Sequence, residues 1–429
     1  MSKGWTYKWG SLLLIGLLAA CNTMLPSIQE ALPTRAVAAE NPVAEVGVDT
    51  AVSANNLPPT WTPIPTPGEN APPPPPAVPT PGPSIVPTAT PDLPTNTPRP
   101  THTPIPTATS EATATTYASY IPTLLPSNEL GPSKLGLHVI RNNDPGINEF
   151  VRLGQPSVIK ALDNFGYAAE IKALSPRTIV VGRLNEAAQN YAGTPEEAAR
   201  DFVNSQLDQY LANPAVDYWE GWNEPDPNLD NMPWFTRFEQ ERVRLLAQHG
   251  LRAAIGGFPA GVPEMDEFAL FLPAIETAVE YHGILTLHEY SAPEMTYLYG
   301  DPLPGYPAYP DRGSLTFRYR WYYKEFLEPA GLVIPLVISE AGIDGIIGNR
   351  PGPDGAGWQD FQSYWVQQGW GATGPEAFIN QLAWYDNGVR QDGYVIGFTV
   401  FTAGALGQWM SYDINSILPN LTAYVVSQQ

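Results

Sequence analysis

Between residues 134 and 429, short runs rich in Val, Ile and Leu recur eight times, at 135–140, 157–162, 178–184, 217–222, 253–258, 285–290, 336–340 and 395–401. Helical stretches separate most of them, over about 234–249, 266–281, 315–329 and 375–390. Another opens at Thr194-Pro195-Glu196-Glu197. That tetrapeptide predicts a Thr cap, Pro at the first helical position and acids facing the positive end of the helix dipole. Strand–helix alternation of this kind marks parallel βα units, and eight of them predict an α/β fold, a (β/α)8 TIM barrel. The competing arrangement is a doubly wound open sheet. No Gly-rich phosphate loop follows the first strand, where a nucleotide-binding sheet needs one, and this favours the barrel.

Upstream the composition changes. Residues 57–126 are dominated by Pro and Thr, as in Pro72-Pro73-Pro74-Pro75-Pro76 and the Thr-Pro repeats through Pro106. Few side chains there can build a core, and proline removes backbone donors, so a disordered, partly polyproline-II linker is expected. Fully extended at about 3.1 Å per residue, it would reach roughly 200 Å. Residues 21–56 form a low-complexity tether. Residues 1–20 combine Lys3 and Lys8 with an apolar run too short to span a bilayer comfortably. That run ends Leu18-Ala19-Ala20-Cys21, which resembles a bacterial lipobox. The resemblance implies a lipoprotein signal, with Cys21 carrying the lipid that anchors an extracytoplasmic protein to the membrane at the cell surface. The alternative is a plain signal peptide followed by an unrelated cysteine. Cys21 is the single cysteine of the chain, so neither an intrachain disulfide nor a Cys-based zinc site can form.

The 22 Lys and Arg stand against 43 Asp and Glu, for a formal charge of -21. Such a surface repels phosphate backbones, which argues against nucleic acid and anionic lipid as direct partners. It also makes a strongly acidic polysaccharide a less natural substrate. The five histidines show no HExxH or paired spacing, so no metal site is expected. No cofactor is implied, and the chain is taken as a monomer.

In a barrel, polar groups at the C-terminal ends of the strands share one pocket. The fourth run ends Trp222-Asn223-Glu224-Pro225-Asp226 and the seventh Ile338-Ser339-Glu340-Ala341-Gly342, each setting a carboxylate just past apolar residues. Two such carboxyls suit a glycosidic bond, one to protonate the leaving oxygen and one to attack or to activate water. These motifs, on strands four and seven, resemble glycoside hydrolase clan A, with wording similar to families 39 and 5. The resemblance covers 134–429 and implies a retaining glycosidase acting on a polysaccharide or oligosaccharide. Glu224 would be the acid/base and Glu340 the nucleophile, with Asn223 on the sugar 2-hydroxyl. In the sixth run, His288 and Tyr290 are two apart and point to one side. The resemblance places them in the pocket, with Tyr290 bonding the nucleophile. Glu289 between them points away, most simply into an ion pair.

Two departures stand out. Clan members often carry an Arg at the end of strand two, where this chain has Lys160-Ala161-Leu162-Asp163, so Lys160 and Arg183 are both candidates for the positive group near the nucleophile. At strand eight, where a Trp is often presented, the chain reads Phe398-Thr399-Val400-Phe401-Thr402, and Trp409 follows in the loop. Trp222, Trp409 and Trp358, the last flanked by Gly355 and Gly357, are candidate platforms for the apolar faces of sugar rings. His138 either contacts a sugar hydroxyl or is a satisfied core histidine. Glu220 is a buried structural acid that needs partners, and Asp344 is the main rival to Glu340. A non-catalytic carbohydrate-binding or wall-associated barrel is the alternative to an enzyme. The lipobox reading predicts that Cys21→Ser releases the protein from the membrane fraction, checked by immunoblotting fractionated cells. A variant that fractionates like wild type would refute the anchor.

Overall fold

The computed structural model describes residues 130–185 and 189–429. The expected signal peptide, Cys21, the expected tether and the Pro/Thr-rich segment lie outside these residues. Eight strands form one closed parallel barrel: β1 Leu135–Val139, β2 Val158–Leu162, β3 Ile179–Arg183, β4 Tyr218–Glu220, β5 Ala253–Phe258, β6 Ile284–Ser291, β7 Leu336–Ile343 and β8 Val395–Ala403. Each pairs with the next, and β8 returns to pair with β1. The open-sheet alternative is thereby excluded.

The helices are α1 Pro145–Gly154, α2 Ala168–Leu174, α3 Pro195–Ala212, α4 Met232–Gln248, α5 Met265–Glu280, α6 Tyr319–Tyr322, α7 Glu328–Ala330, α8 Gln362–Gln367, α9 Gly374–Val389 and α10 Leu418–Ser427. The helix expected over 315–329 begins later and is interrupted by a π-helical turn, Tyr323–Leu327, between α6 and α7. Its start is held by a buried carboxylate, since Glu289 accepts the backbone N–H groups of Phe317 and Tyr319 at 2.6 and 3.0 Å. The cap of α3 also differs from expectation. Thr194 stands at the N-cap, but its hydroxyl donates to Glu197 Oε2 at 2.7 Å and leaves the backbone N–H groups of the first turn alone.

Inside the barrel, Val158, Ile179, Val181, Tyr218, Ala254, Ile284 and Val337 form an apolar plug beneath the polar groups at the strand ends. Strand alternation sets which residues follow them inward. After Val158 comes Lys160, after Val181 comes Arg183, after Tyr218 comes Glu220, and after Ile284 come Thr286, His288 and Tyr290. By the same count Val337 would be followed by Ser339, with Glu340 turned out. A bulge changes this. Leu287 pairs with Ile338, but His288 pairs with Glu340, so Ser339 is one residue too many and Glu340 is aimed at the pocket.

β4 stops at Glu220 because a buried ion pair on α4 occupies the space beside it. Arg242 is fully buried, bonds Glu239 Oε2 at 2.9 Å, and donates to the carbonyls of Trp219 (3.1 Å) and Ala254 (2.6 Å). A Cβ on Gly221 would lie 2.9 Å from both Arg242 Nε and Glu239 Oε1, so only glycine lets the chain pass. Arg242→Met strands the Glu239 carboxylate in the core and is expected to cost about 3–5 kcal/mol. Adding Glu239→Gln should return part of that loss. Urea unfolding of the two variants checks this, and equal destabilisation would show that the guanidinium acts through its carbonyl contacts alone.

Candidate active site

Glu224 lies four residues beyond β4, in a left-handed backbone conformation (φ 49°) that a side chain other than glycine seldom adopts. Its N–H is held by the carbonyl of Gly257, the unpaired residue at the bulge in β5, at 2.9 Å. Strain of this kind persists only where the surroundings dictate it, and it gathers at functional sites. The turn points the Glu224 carboxylate at His288, whose Nδ1 is 2.9 Å from Oε1.

Glu340 is reached by five side chains from four other strands. Its Oε1 lies 2.8 Å from Lys160 Nζ, 3.1 Å from Arg183 NH1 and 3.7 Å from His138 Nε2. Its Oε2 accepts the Tyr290 hydroxyl at 2.9 Å and lies 3.6 Å from His288 Nδ1. Burial alone would push this carboxyl up. His288, Lys160 and Arg183 outweigh burial and hold it well below the ordinary carboxylate range. His138 is itself kept neutral by burial, against the pull of Glu340, so it acts toward Glu340 as a polar neighbour and not as a cation. Its Nδ1 is 2.7 Å from the Thr402 hydroxyl.

The sequence left open which cation attends Glu340, and the structure brings both. Lys160, from β2, lies between Glu340 and Glu220. Arg183, from β3, bonds Glu340 and also the side-chain oxygen of Asn223. Asn223 therefore has its amide donors left for a ligand. Glu220 is buried as expected, and its partner is the ammonium of Lys160 at 2.9 Å. Asp344 accepts the Tyr412 hydroxyl at 2.8 Å and the Ile346 N–H at 3.0 Å, and burial pushes its carboxyl up. Among the described residues no ion pair reaches Asp344, whereas Lys160 and Arg183 both reach Glu340.

Two expected platforms are corrected. Trp222 is 5 % exposed, its ring packed among Trp234, Phe235 and Phe238 of α4. It backs the loop and offers no face to a ligand. Trp358 is 2 % exposed, lies parallel to Phe378 at 5.1 Å, and donates its indole N–H to the carbonyl of Asp413 at 3.1 Å. It pins the loop after β7 to the loop after β8, where a Cβ on Gly357 would fall 2.3 Å from the Ser411 carbonyl oxygen. Glu289 is structural as expected, but hydrogen bonds replace the ion pair, with the Tyr385 hydroxyl adding a third donor at 2.6 Å. Trp409 is half-buried and packs edge-on against Phe401 and Tyr412. Phe401, which sequence reasoning passed over, stands beside both His138 and Tyr290 at 4.8 and 6.2 Å between ring centres. Its signal was the strand-eight position where clan members often present Trp.

One donor atom each from Glu224, His288 and Glu340 lies within 4.8 Å of the others. A cation could bridge such a spacing, but Lys160 and Arg183 already press on Glu340 and would repel a divalent ion. What remains is a pair of carboxyl groups in unlike settings, one ringed by buried donors and one a third exposed beside a histidine.

No family model matches the chain, and no curated protein matches it. Among solved structures it is similar to a glucosidase from Croceicoccus marinus, at 12% identity, over 69% of this chain and 68% of that one, with a TM-score of 0.42. It is similar to the endo-β-1,4-mannanase from Thermotoga petrophila at 11% identity, over 70% and 78%, with a TM-score of 0.37. A protein from Neocallimastix frontalis is similar at 19% identity, over 49% of this chain and 52% of that one, with a TM-score of 0.33. The chain spans about half the length of that last protein.

The sign of the Glu340 shift gives a test of the site. A carboxyl held low in the folded state stabilises the fold at pH above the unfolded value of about 4.3. That contribution fades as pH falls through the folded value. Tyr290→Phe removes one donor to the anion and should cost about 1.5–3 kcal/mol at pH 7. The gap from wild type should close toward the most acidic pH at which both still fold. Urea unfolding across pH measures it, and a gap that stays constant would mean that the phenol contributes packing only.

Proposed function

We propose that this chain is a retaining glycoside hydrolase acting on a polysaccharide or oligosaccharide by double displacement, at the cell surface through a lipid anchor on Cys21. The observation that carries the chemistry is the carboxyl pair, whose facing oxygens lie within 4.8 Å. A retaining mechanism needs its two carboxyls about 5–5.5 Å apart, whereas an inverting one needs roughly 6.5–9.5 Å to admit a water. Glu340, kept anionic by its donors, is the nucleophile that attacks the anomeric carbon. Glu224, on the strained turn beside His288, delivers the proton to the leaving oxygen and then draws a proton from the incoming water. Tyr290, Lys160 and Arg183 hold the nucleophile, Asn223 offers its amide to a sugar hydroxyl, and His138 faces the same space from β1. Phe401 and Trp409, each in edge contact with the other and with Tyr412, give the apolar wall on which a sugar ring can stack.

The alternative, a barrel that binds carbohydrate without cutting it, has no use for a nucleophile held by two cations and a phenol. Turnover decides between them. Glu340→Gln should abolish hydrolysis of every aryl glycoside and polysaccharide that wild type cleaves. Glu224→Gln should slow substrates with poor leaving groups by about 10²–10⁴-fold, the usual worth of general acid catalysis, and activated aryl glycosides much less. Undiminished hydrolysis in Glu340→Gln would remove the assignment.

A further inference from the structure

The ammonium of Lys160, fully buried, has two carboxylates for neighbours, Glu340 at 2.8 Å and Glu220 at 2.9 Å. Glu220 has no part in the chemistry above. It is 2 % exposed, and the inward alternation of β4 sets it below Glu224. It differs from the structural acid Glu289, which three directed donors hold. Neither oxygen of Glu220 meets a hydrogen bond of good geometry. Charge holds it. Burial would push its carboxyl up, but Lys160 first, then Arg183 and His288, with the Ser339 hydroxyl beside it, bring it down to about 2. The Lys160 ammonium at 2.9 Å therefore favours the Glu220 anion.

Around Lys160 the resting charges balance, its ammonium and the Arg183 guanidinium facing Glu220 and Glu340, with His288 beside Glu340 and Glu224. Double displacement upsets that balance. A Glu340 oxygen bonds the anomeric carbon, the bond to the leaving oxygen breaks with its electron pair, and that oxygen takes the proton of Glu224. Glu340 is then an uncharged ester, while the new negative charge sits on Glu224 at the mouth of the pocket. Two buried cations remain where two anions had faced them, and a buried charge without a partner is costly.

We propose that Glu220 is the standing counter-ion of the site: it keeps Lys160 neutralised while Glu340 carries the glycosyl group, so that the covalent intermediate forms without stranding a buried ammonium. Glu220 is a positioning residue, acting through Lys160 and touching neither substrate nor reacting atoms. The inference rests on the retaining reading, and the experiment separates the two.

The anomer released by wild type is read first by proton NMR, and an inverted product ends both readings. With retention established, the intermediate is trapped with a 2-deoxy-2-fluoro glycoside bearing an activated leaving group, and its formation and spontaneous decay are timed. Glu220→Gln should slow formation and speed decay, each by more than about tenfold. In a Lys160→Met background, Glu220→Gln should change the decay rate by less than about tenfold, because the ammonium it neutralises is gone. Wild-type rates for both steps in Glu220→Gln would overturn the proposal. If Glu220→Gln does not fold, the double variant decides. Decay in the double variant more than about tenfold from that of Lys160→Met alone would show that Glu220 acts otherwise than through Lys160.

Discussion

An ammonium at the centre of a closed barrel, out of reach of water, requires anions around it. Lys160 imposes that requirement here, and the polar layer is arranged to meet it. Its neighbours come from β4 and β7, across the barrel from β2, so the strands must close in the observed order and register for the charges to meet. The bulge at Ser339 belongs to the same arrangement. With regular alternation Glu340 would face the helices, and Lys160 and Arg183 would share Glu220 alone. A buried charged layer of this kind need not stabilise the fold relative to an apolar one. It fixes which anion is exposed to a ligand and keeps that anion ionised.

The eight strands were legible because each is a short apolar run with a helix following, and closed barrels are built from that repeat. Their ends were less so. β4 is shorter than its apolar run because Arg242 and Glu239 take the space beyond it, and no local pattern announces an ion pair on the next helix. Glu224, Glu340, His288 and Tyr290 were singled out from motif and resemblance, and the structure brings their side chains together. Lys160 and Arg183 could be named from the strand ends, but their division of labour depends on distances across the barrel, which strand alternation does not set. The bulge was invisible, because Ser339 reads as an ordinary strand residue, and the inward aim of Glu340 came from the resemblance.

Aromatic residues were the least legible. Trp222 and Trp358 sit beside glycines or the Asn223-Glu224 pair, a setting like that of Trp409, yet of the three only Trp409 keeps a partly open ring. The difference lies in what each loop leans on. Trp222 meets the aromatic face of α4, and Trp358 meets Phe378 of α9, so both are drawn inward by apolar area that no local window contains. Trp409 leans on Phe401 and Tyr412, which border the pocket, and is left half open.

The same electrostatics bear on what the pocket would accept. The chain is strongly acidic as a whole, and the cations that face the pocket, Lys160 and Arg183, are already committed to Glu220, Glu340 and Asn223. An anionic sugar would approach against the net field and, among the described residues at the site, meet Glu224 and Asp344 before any cation with a free donor. A neutral sugar meets neither obstacle. Its hydroxyls suit Asn223 and the histidines, and its apolar face suits Phe401 and Trp409. For the reaction proposed, the charge arrangement that keeps Glu340 nucleophilic therefore also selects for uncharged glycosyl units, because the positive groups that could have received a carboxylate are consumed in holding the nucleophile.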